Sequence, residues 1–537
     1  MTDPNDRRTP RAVKQSMPLA HEVVEALAID NGVCIRPVGL RRMDLKTGVS
    51  DIINAPCGST LEAKCPPCAK RNRALRMAQC REGWHLAAEP ATTPDEPNDY
   101  QRHLVEWRAD AQAIRDQLQS AGLPTDDYDQ AIAELDIEIN AAGVRGNVLG
   151  RTAAKRSRST RRRQDAPDLP KRAMMATTLG RTYEGTDGRT YRPSMFITLT
   201  LDTYGKVNAG VPVDSASYDY VRAARDAIHF SKLIDRFVQN LRRVAGYDVQ
   251  YFATVEMQKR LAPHLHMAMR GSMSRADIRA VAAATYHQVW WPSCDTIRFD
   301  GDHLPVWNEK AGYLDPETGE ILPTWDEALD QLDADPDAQP LHVVRFGPQV
   351  DAQGILSGTP DADQAIRYLS KYLTKSLGQA ADSQAARDHA ARLADVLRYE
   401  PCTPTCPNWL RYGVQPKNAK PGMIPGRCRG KAHRPEHLGY GGRRVLVSRK
   451  WSNKTLTEHK ADRRTWVLEA LGVADEPADA GRYVWSPVKA GDPDLPPIRV
   501  RLLRSIRERL RWRAHLNKLQ AAAEGQDLSA IEEKRAA

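Results

Sequence analysis

Alternation and spacing divide the chain into a few readable stretches. Phe196 to Leu201 (FITLTL) is rich in β-branched and aromatic residues and predicts a strand. Val249 to Val255 (VQYFATV) and His264 to Met269 (HLHMAM) predict two more, and Leu341 to Phe346 (LHVVRF) a fourth. Helical spacing separates them. Tyr218 to about Val244 predicts a long helix, and Ser274, with Asp277 three residues on, opens another running through Trp290. Residues 294–340 read as loop-rich, and Asp361 starts a helix that carries Tyr368 and Tyr372. Upstream, Leu104, Trp107, Ala111, Ile114 and Leu118 recur at three or four residues. Ala131, Leu135 and Ile139 resume the pattern after a break at Gly122 to Asp127, which predicts a helical hairpin on the surface of the core. Residues 21–90 predict a short helix and a strand around Val33 to Val38. Arg499 to His515 predicts a basic helix with Leu502, Leu503, Ile506 and Leu510 on one face.

The pattern predicts an α+β fold with a largely antiparallel sheet and flanking helices. The expected organisation is a mobile N-terminus (1–20), an N-terminal zinc-binding region (21–98) and a helical hairpin insertion (99–150). A basic linker (151–180) leads to the sheet domain (181–380). A second zinc-binding, basic region (381–480) and a C-terminal basic helix and tail (481–537) follow. The linker contains Lys155 to Arg163, KRSRSTRRR, which has no apolar residue. Arg161, Arg162 and Arg163 are its candidates for DNA phosphate contact.

Composition narrows the class. The 537 residues are 41% hydrophobic and 27% charged, ordinary for a globular protein. The formal net charge of +10 favours a polyanionic partner, most simply nucleic acid. The opening MTDPNDRRTP has no apolar leader pattern, and no run approaches the roughly 18 apolar residues of a membrane span. A cytoplasmic protein with no membrane partner is expected. No G-x-x-x-x-G-K-[ST] occurs, so ATP-driven unwinding of the ordinary kind would have to come from elsewhere.

Two constellations could carry chemistry. In His264-Leu265-His266, residues i and i+2 of a strand point to one face, so both imidazoles can meet one metal ion. Glu256 ends the preceding strand and a hairpin would return it beside them; Gln258 competes as the third ligand. Two neutral imidazoles and a carboxylate suit Mg²⁺ or Mn²⁺ acting on a phosphate. In Tyr368-Leu369-Ser370-Lys371-Tyr372-Leu373-Thr374-Lys375, the phenols stand one helical turn apart, each with a lysine three residues on. An ammonium nearby favours phenolate and can hold a phosphate. Leu369, Leu373 and Leu377 would pack this helix onto the sheet.

The nine cysteines are clumped. Cys57, Cys65, Cys68 and Cys80 offer four thiolates, including a Cys-x₂-Cys knuckle, for a structural tetrahedral Zn²⁺, with His85 as a substitute ligand. Cys34 reads as a plain buried thiol. Cys402, Cys406, Cys428 and His433 form a second candidate, with His437 competing for the fourth place. Arg427, Arg429 and Lys431 beside it could contact DNA phosphates.

FITLTL, then His-x-His, then Tyr-x-x-Lys-Tyr-x-x-Lys, in that order, resembles the HUH endonucleases in the branch of rolling-circle replication initiators. CPPCAKRNRALRMAQCREGWHL, TRRRQDAPDLP, FATVEMQKRLAPHLHMAMRG, ATYHQVWWP and HLGYGGRRVLVSRKW resemble the RepSA-type initiators of actinobacterial plasmids and integrative conjugative elements. The resemblance implies an HUH-type sheet and a metal-dependent single-stranded DNA endonuclease. It further implies that Tyr372 or Tyr368 attacks origin DNA, with Tyr372 at the family's usual first position. The products would be a 5′-phosphotyrosine and a 3′-OH that primes a host polymerase, with unwinding by a host helicase. An HUH transposase or relaxase shares the cut. A non-catalytic zinc-containing DNA-binding regulator would explain the charge and cysteines but neither the histidine pair nor the tyrosine helix.

Overall fold

The computed structural model describes residues 18–86, 88–90, 96–144, 165–180, 182–184, 186, 188, 190–356, 358–371, 373, 383–470, 481–489 and 491–523. The expectations for residues 1–17, for Arg161, Arg162 and Arg163, and for Tyr372, Lys375 and Leu377 lie outside them. The chain forms two compact units: residues 91–164 make one, and 1–90 with 165–537 make the other.

The smaller unit is the helical hairpin. Helices α3 (Asp99–Ser120) and α4 (Asp126–Ala141) pair through Leu104, Ala111, Leu135 and Ile139. Asn98 and Gln101 form a reciprocal capping box that satisfies two free donors of the first turn. Trp107 and Ile114, expected on the apolar stripe, are instead exposed. The seam takes Leu104 and Ala111, two turns apart, and the other two lie off it.

In the larger unit, six antiparallel strands run in the order β6–β7–β3–β5–β4–β8. They are β3 (Pro193–Leu201), β4 (Tyr251–Met257), β5 (Pro263–Arg270), β6 (Tyr286–Val289), β7 (His342–Leu356) and β8 (Val445–Val447). Alternation sorts the side chains of the central strands. Ile197, Leu199, Leu265, Met267, Ala253 and Val255 face one way and pack on α5 (Tyr220–Ala245). Asp219 caps that helix, and Gly246 at φ 74° closes it in the left-handed conformation that suits glycine. Each fully buried aliphatic side chain of this layer contributes roughly 1.5–3 kcal/mol.

The opposite face carries Ser194, Phe196, Thr198 and Thr200 of β3 and His264, His266 and Ala268 of β5. Its Ser194–Arg270 end is roofed by α2 (Pro66–Trp84) and α8 (Pro360–Lys371). Cys80 and Trp84 meet Ala362, Ala365, Ile366 and Leu369 there, with Phe252, Ala268 and Trp451 below. Buried Arg270 ties the roof down by donating to the carbonyls of Gly83, Lys450 and Trp451.

A second sheet joins distant parts of the chain: β1 (Val38–Asp44) lies between β2 (Ser50–Ala55) and β9 (Tyr483–Pro487). Beside it, Ala28 of α1 (Pro18–Asp30) and Val33 bury Leu502 and Ile506 of α11 (Ile498–Ala523). Leu510, expected on that face, is exposed.

Three expectations about elements change. The first strand begins at Val38, where residues 33–38 were expected to form it. The helix opened by Ser274, α6, runs only over Arg275–Ala284, and Tyr286–Val289 becomes edge strand β6 paired with β7. Residues 294–340, expected to be loop-rich with no helix named there, include α7 (Trp325–Ala334), capped by Thr324 and Glu327.

Candidate active site and metal centres

Cross-strand register assembles the histidine site. Thr200, His264 and Glu256 form one row across β3, β5 and β4, and Thr198, His266 and Thr254 the next. The His264 and His266 rings lie 4.4 Å apart between centroids, and both residues are buried. His266 is held at both nitrogens: Nδ1 lies 3.2 Å from Thr198 Oγ1 and Nε2 3.1 Å from Glu256 Oε2. His264 Nδ1 lies 3.0 Å from Gln258 Nε2, and Arg260 Nε donates to Gln258 Oε1 at 2.8 Å. Arg260 thus engages the only ligand oxygen Gln258 has. Burial, with His266 and Arg260 nearby, pulls His264 down to about 3, so this imidazole is neutral at pH 7 and can act as a lone-pair donor. The ligand atoms of His264, His266 and Glu256 are not among the described groups that all lie within 4.8 Å of one another. The hydrogen bond between Glu256 and His266 takes up two of the three.

Tyr368 reaches this face from α8. Its ring stands at 88° to His266, with centroids 4.9 Å apart, and edge-on to Phe196 at 5.9 Å. It is 40% exposed, while its neighbours Leu369 and Ile366 are buried under α2. Lys371 ends the helix at an exposed position, and Leu373 beyond it is buried. Arg73 of α2 donates to Ser370 Oγ at 3.3 Å and so ties down the end of the tyrosine helix.

The first cysteine cluster consists of Cys34, Cys57, Cys65 and Cys68. Cys80 is not part of it. Twelve helical residues beyond Cys68 amount to roughly 18 Å along α2, and Cys80 ends in the apolar layer with Trp84 and Trp451. His85 is not part of it either; its Nδ1 accepts from the Gly358 amide. The second cluster is Cys402, Cys406, Cys428 and His433, as the spacing suggests. His437 lies outside it, buried with the following Leu438 and Tyr440.

Both clusters fit zinc. Tetrahedral Zn–S bonds of about 2.3 Å and Zn–N bonds of about 2.0–2.1 Å put adjacent sulfurs about 3.8 Å apart, and sulfur and nitrogen about 3.5 Å apart. Cys34 and Cys65 sulfurs lie at 3.8 Å, Cys402 and Cys428 at 4.0 Å, and Cys406 Sγ and His433 Nε2 at 3.5 Å. His433 Nδ1 lies 2.6 Å from the Leu397 carbonyl, an outer partner that turns Nε2 toward the thiols. Amides of Cys57 and Gly430 donate to Cys34 and Cys428 sulfurs. Around the second cluster Arg427 and Arg429 are exposed, whereas Lys431 turns inward to the Gly442 carbonyl.

A third group, Glu82, His459 and Asp462, escaped the sequence reading because its members come from two distant helices. Lys454 Nζ sits between the two carboxylates at 2.8 and 2.9 Å, so an ammonium already balances them.

This basic α+β chain belongs among the replication initiators. Residues 20–508 match the family described as RepSA, replication initiator protein, pSAM2, and the chain belongs to that family. No curated protein and no solved structure matches it. Among the described residues no helix is long and apolar enough to cross a membrane.

Proposed function

We propose that this initiator is an HUH-type nickase that opens its origin by tyrosine attack. The observation that carries the reading is Tyr368 standing against His266 on the open end of the sheet face. In the proposed step the Tyr368 oxygen gives up its proton to solvent and attacks a phosphodiester of single-stranded origin DNA. The new O–P bond makes a 5′-phosphotyrosine. The P–O3′ bond breaks, and its oxygen takes a proton to become the 3′-OH that primes a host polymerase. Lys371 places an ammonium one turn from Tyr368, where it can hold a phosphate. Tyr372, with Lys375, is the alternative nucleophile for the first cut, the one the family resemblance puts first, and the remaining tyrosine releases the circle.

His264, His266 and Glu256 would hold Mg²⁺ or Mn²⁺, which supplies charge to a non-bridging phosphoryl oxygen. The donor set suits such an ion: His264 is neutral, and its Nε2 has no hydrogen-bond partner among the described residues. Glu256 is favoured over Gln258 as third ligand because Arg260 engages the Gln258 oxygen. The two cysteine clusters would hold structural zinc, and Arg427 and Arg429 would contact phosphates. A host helicase would supply unwinding.

The test is a covalent-adduct assay with single-stranded DNA from around the protein's own gene and Mn²⁺. A shifted band on a denaturing gel, mapping to the peptide with Tyr368 and Tyr372 and lost with His264→Ala, supports the reading. DNA that is bound but never linked overturns it.

A further inference from the structure

A cleft of about 890 Å³ opens between α2, the α1–β1 connection and α11, on residues that the proposed cleavage does not use. Lys70, Arg71, Arg73, Arg509 and Arg513 line it, against three carboxylates, and Trp512 stands at its rim. Among the described residues Lys70 and Arg509 make no ion pair or hydrogen bond, and both are exposed. The five cations of the lining outnumber its three carboxylates, and these two are not paired with any of them, unlike Arg41 or Arg225, which are spent on carboxylates. The Trp512 indole is 52% exposed, with arginines one and three positions away on the same helix.

Two contacts make the cleft a built feature. Arg513 donates to Asn31 Oδ1 at 3.1 Å, bracing α11 against the turn after α1. Cys34, one of the four clustered thiols, forms part of the wall, so the zinc-type cluster shapes the cleft. Arg73 then links it to the tyrosine helix through Ser370, two residues from Tyr368.

The geometry points to a binding cleft for single-stranded DNA, in which Lys70 and Arg509 take backbone phosphates and Trp512 stacks on a base. Basic side chains alternating with an exposed aromatic ring are the usual means of holding a strand without reading its sequence. A cavity of about 890 Å³ has room for a few nucleotides of one strand. This inference rests on the chain being an initiator that handles DNA, and not on the cleavage chemistry.

The experiment is fluorescence anisotropy of the full chain with a labelled oligo-dT, without added Mn²⁺, over a range of salt concentrations. Lys70→Ala with Arg509→Ala should weaken binding about tenfold. It should also make the slope of log K against log salt shallower by about 1.4, two phosphates at about 0.7 each. Trp512→Ala should weaken binding about tenfold with the slope unchanged. A duplex of equal length should compete poorly. Wild-type affinity and slope in variants that melt like the wild type would overturn the proposal, as would equal competition by duplex. Origin nicking, measured on the same variants, separates the two readings: unchanged oligo-dT binding beside intact nicking removes the cleft alone, and normal binding by Tyr368→Phe tests the cleft without the nucleophile.

Discussion

Tyr368 and His266, from a helix and a strand far apart in the chain, meet at right angles with their ring centroids 4.9 Å apart. The phenol therefore stands beside the histidine pair before any DNA arrives. Since the ring is partly exposed and keeps its packing when the hydroxyl is removed, Tyr368→Phe should fold normally. Nicking should fall by about 100-fold, with the remainder supplied by Tyr372, and Tyr368→Phe with Tyr372→Phe should abolish it. Full nicking by the double variant, read on a labelled strand, would exclude tyrosine chemistry.

Glu256 and Gln258 should separate in a Mn²⁺ titration. Glu256→Ala removes a ligand oxygen and should raise the Mn²⁺ needed for half-maximal nicking by about 100-fold. Gln258→Ala removes only a partner of His264 and should raise it by about 10-fold. Equal effects would count against Glu256 as the ligand.

The cysteine clusters predict two zinc ions per chain by elemental analysis. Cys34→Ser should leave one. Cys80→Ser should keep both and still lower stability by about 1–3 kcal/mol, because it puts a hydroxyl among Trp84, Phe252 and Trp451. Loss of zinc from Cys80→Ser would return that residue to the ligand set.

His389 should make stability acid-sensitive. Burial, reinforced by Arg392, lowers it to about 4 from an ordinary value of 6.5. Between those values the unfolded chain holds a proton that the folded chain does not, so stability rises with pH across the window and is lost as pH falls through it. Below about 4 both states are protonated and this contribution levels off. Melting temperatures from pH 7 to pH 4 should drop less steeply in His389→Gln, and parallel curves would remove the assignment.

The sequence revealed the parts of the site that obey local rules. Period-two alternation placed His264 and His266 on one face, and helical spacing placed Tyr368 beside buried Leu369. What it could not show depends on partners far away. Tyr286 to Val289 continues a plausible helix until β7 offers four paired residues. The strand predicted to end at Phe346 runs to Leu356, because a register shift between Phe346 and Val350 accommodates Gly347 and Pro348. Cys34 reads as a plain buried thiol from its isolated position in the sequence, whereas folding brings it to Cys65 across 31 residues.

The pairing of β1 with β9 has a temporal side. Asp44 and Arg482, which clasp each other at this seam, are 438 residues apart in the chain. At synthesis rates of about 5–20 residues per second, the first of them waits roughly 20–90 s for the second. During that interval the histidine strands can pair, yet α11, one wall of the basic cleft, has not been made. On the ribosome the face that carries His264 and His266 is thus made before the helix that walls the basic cleft.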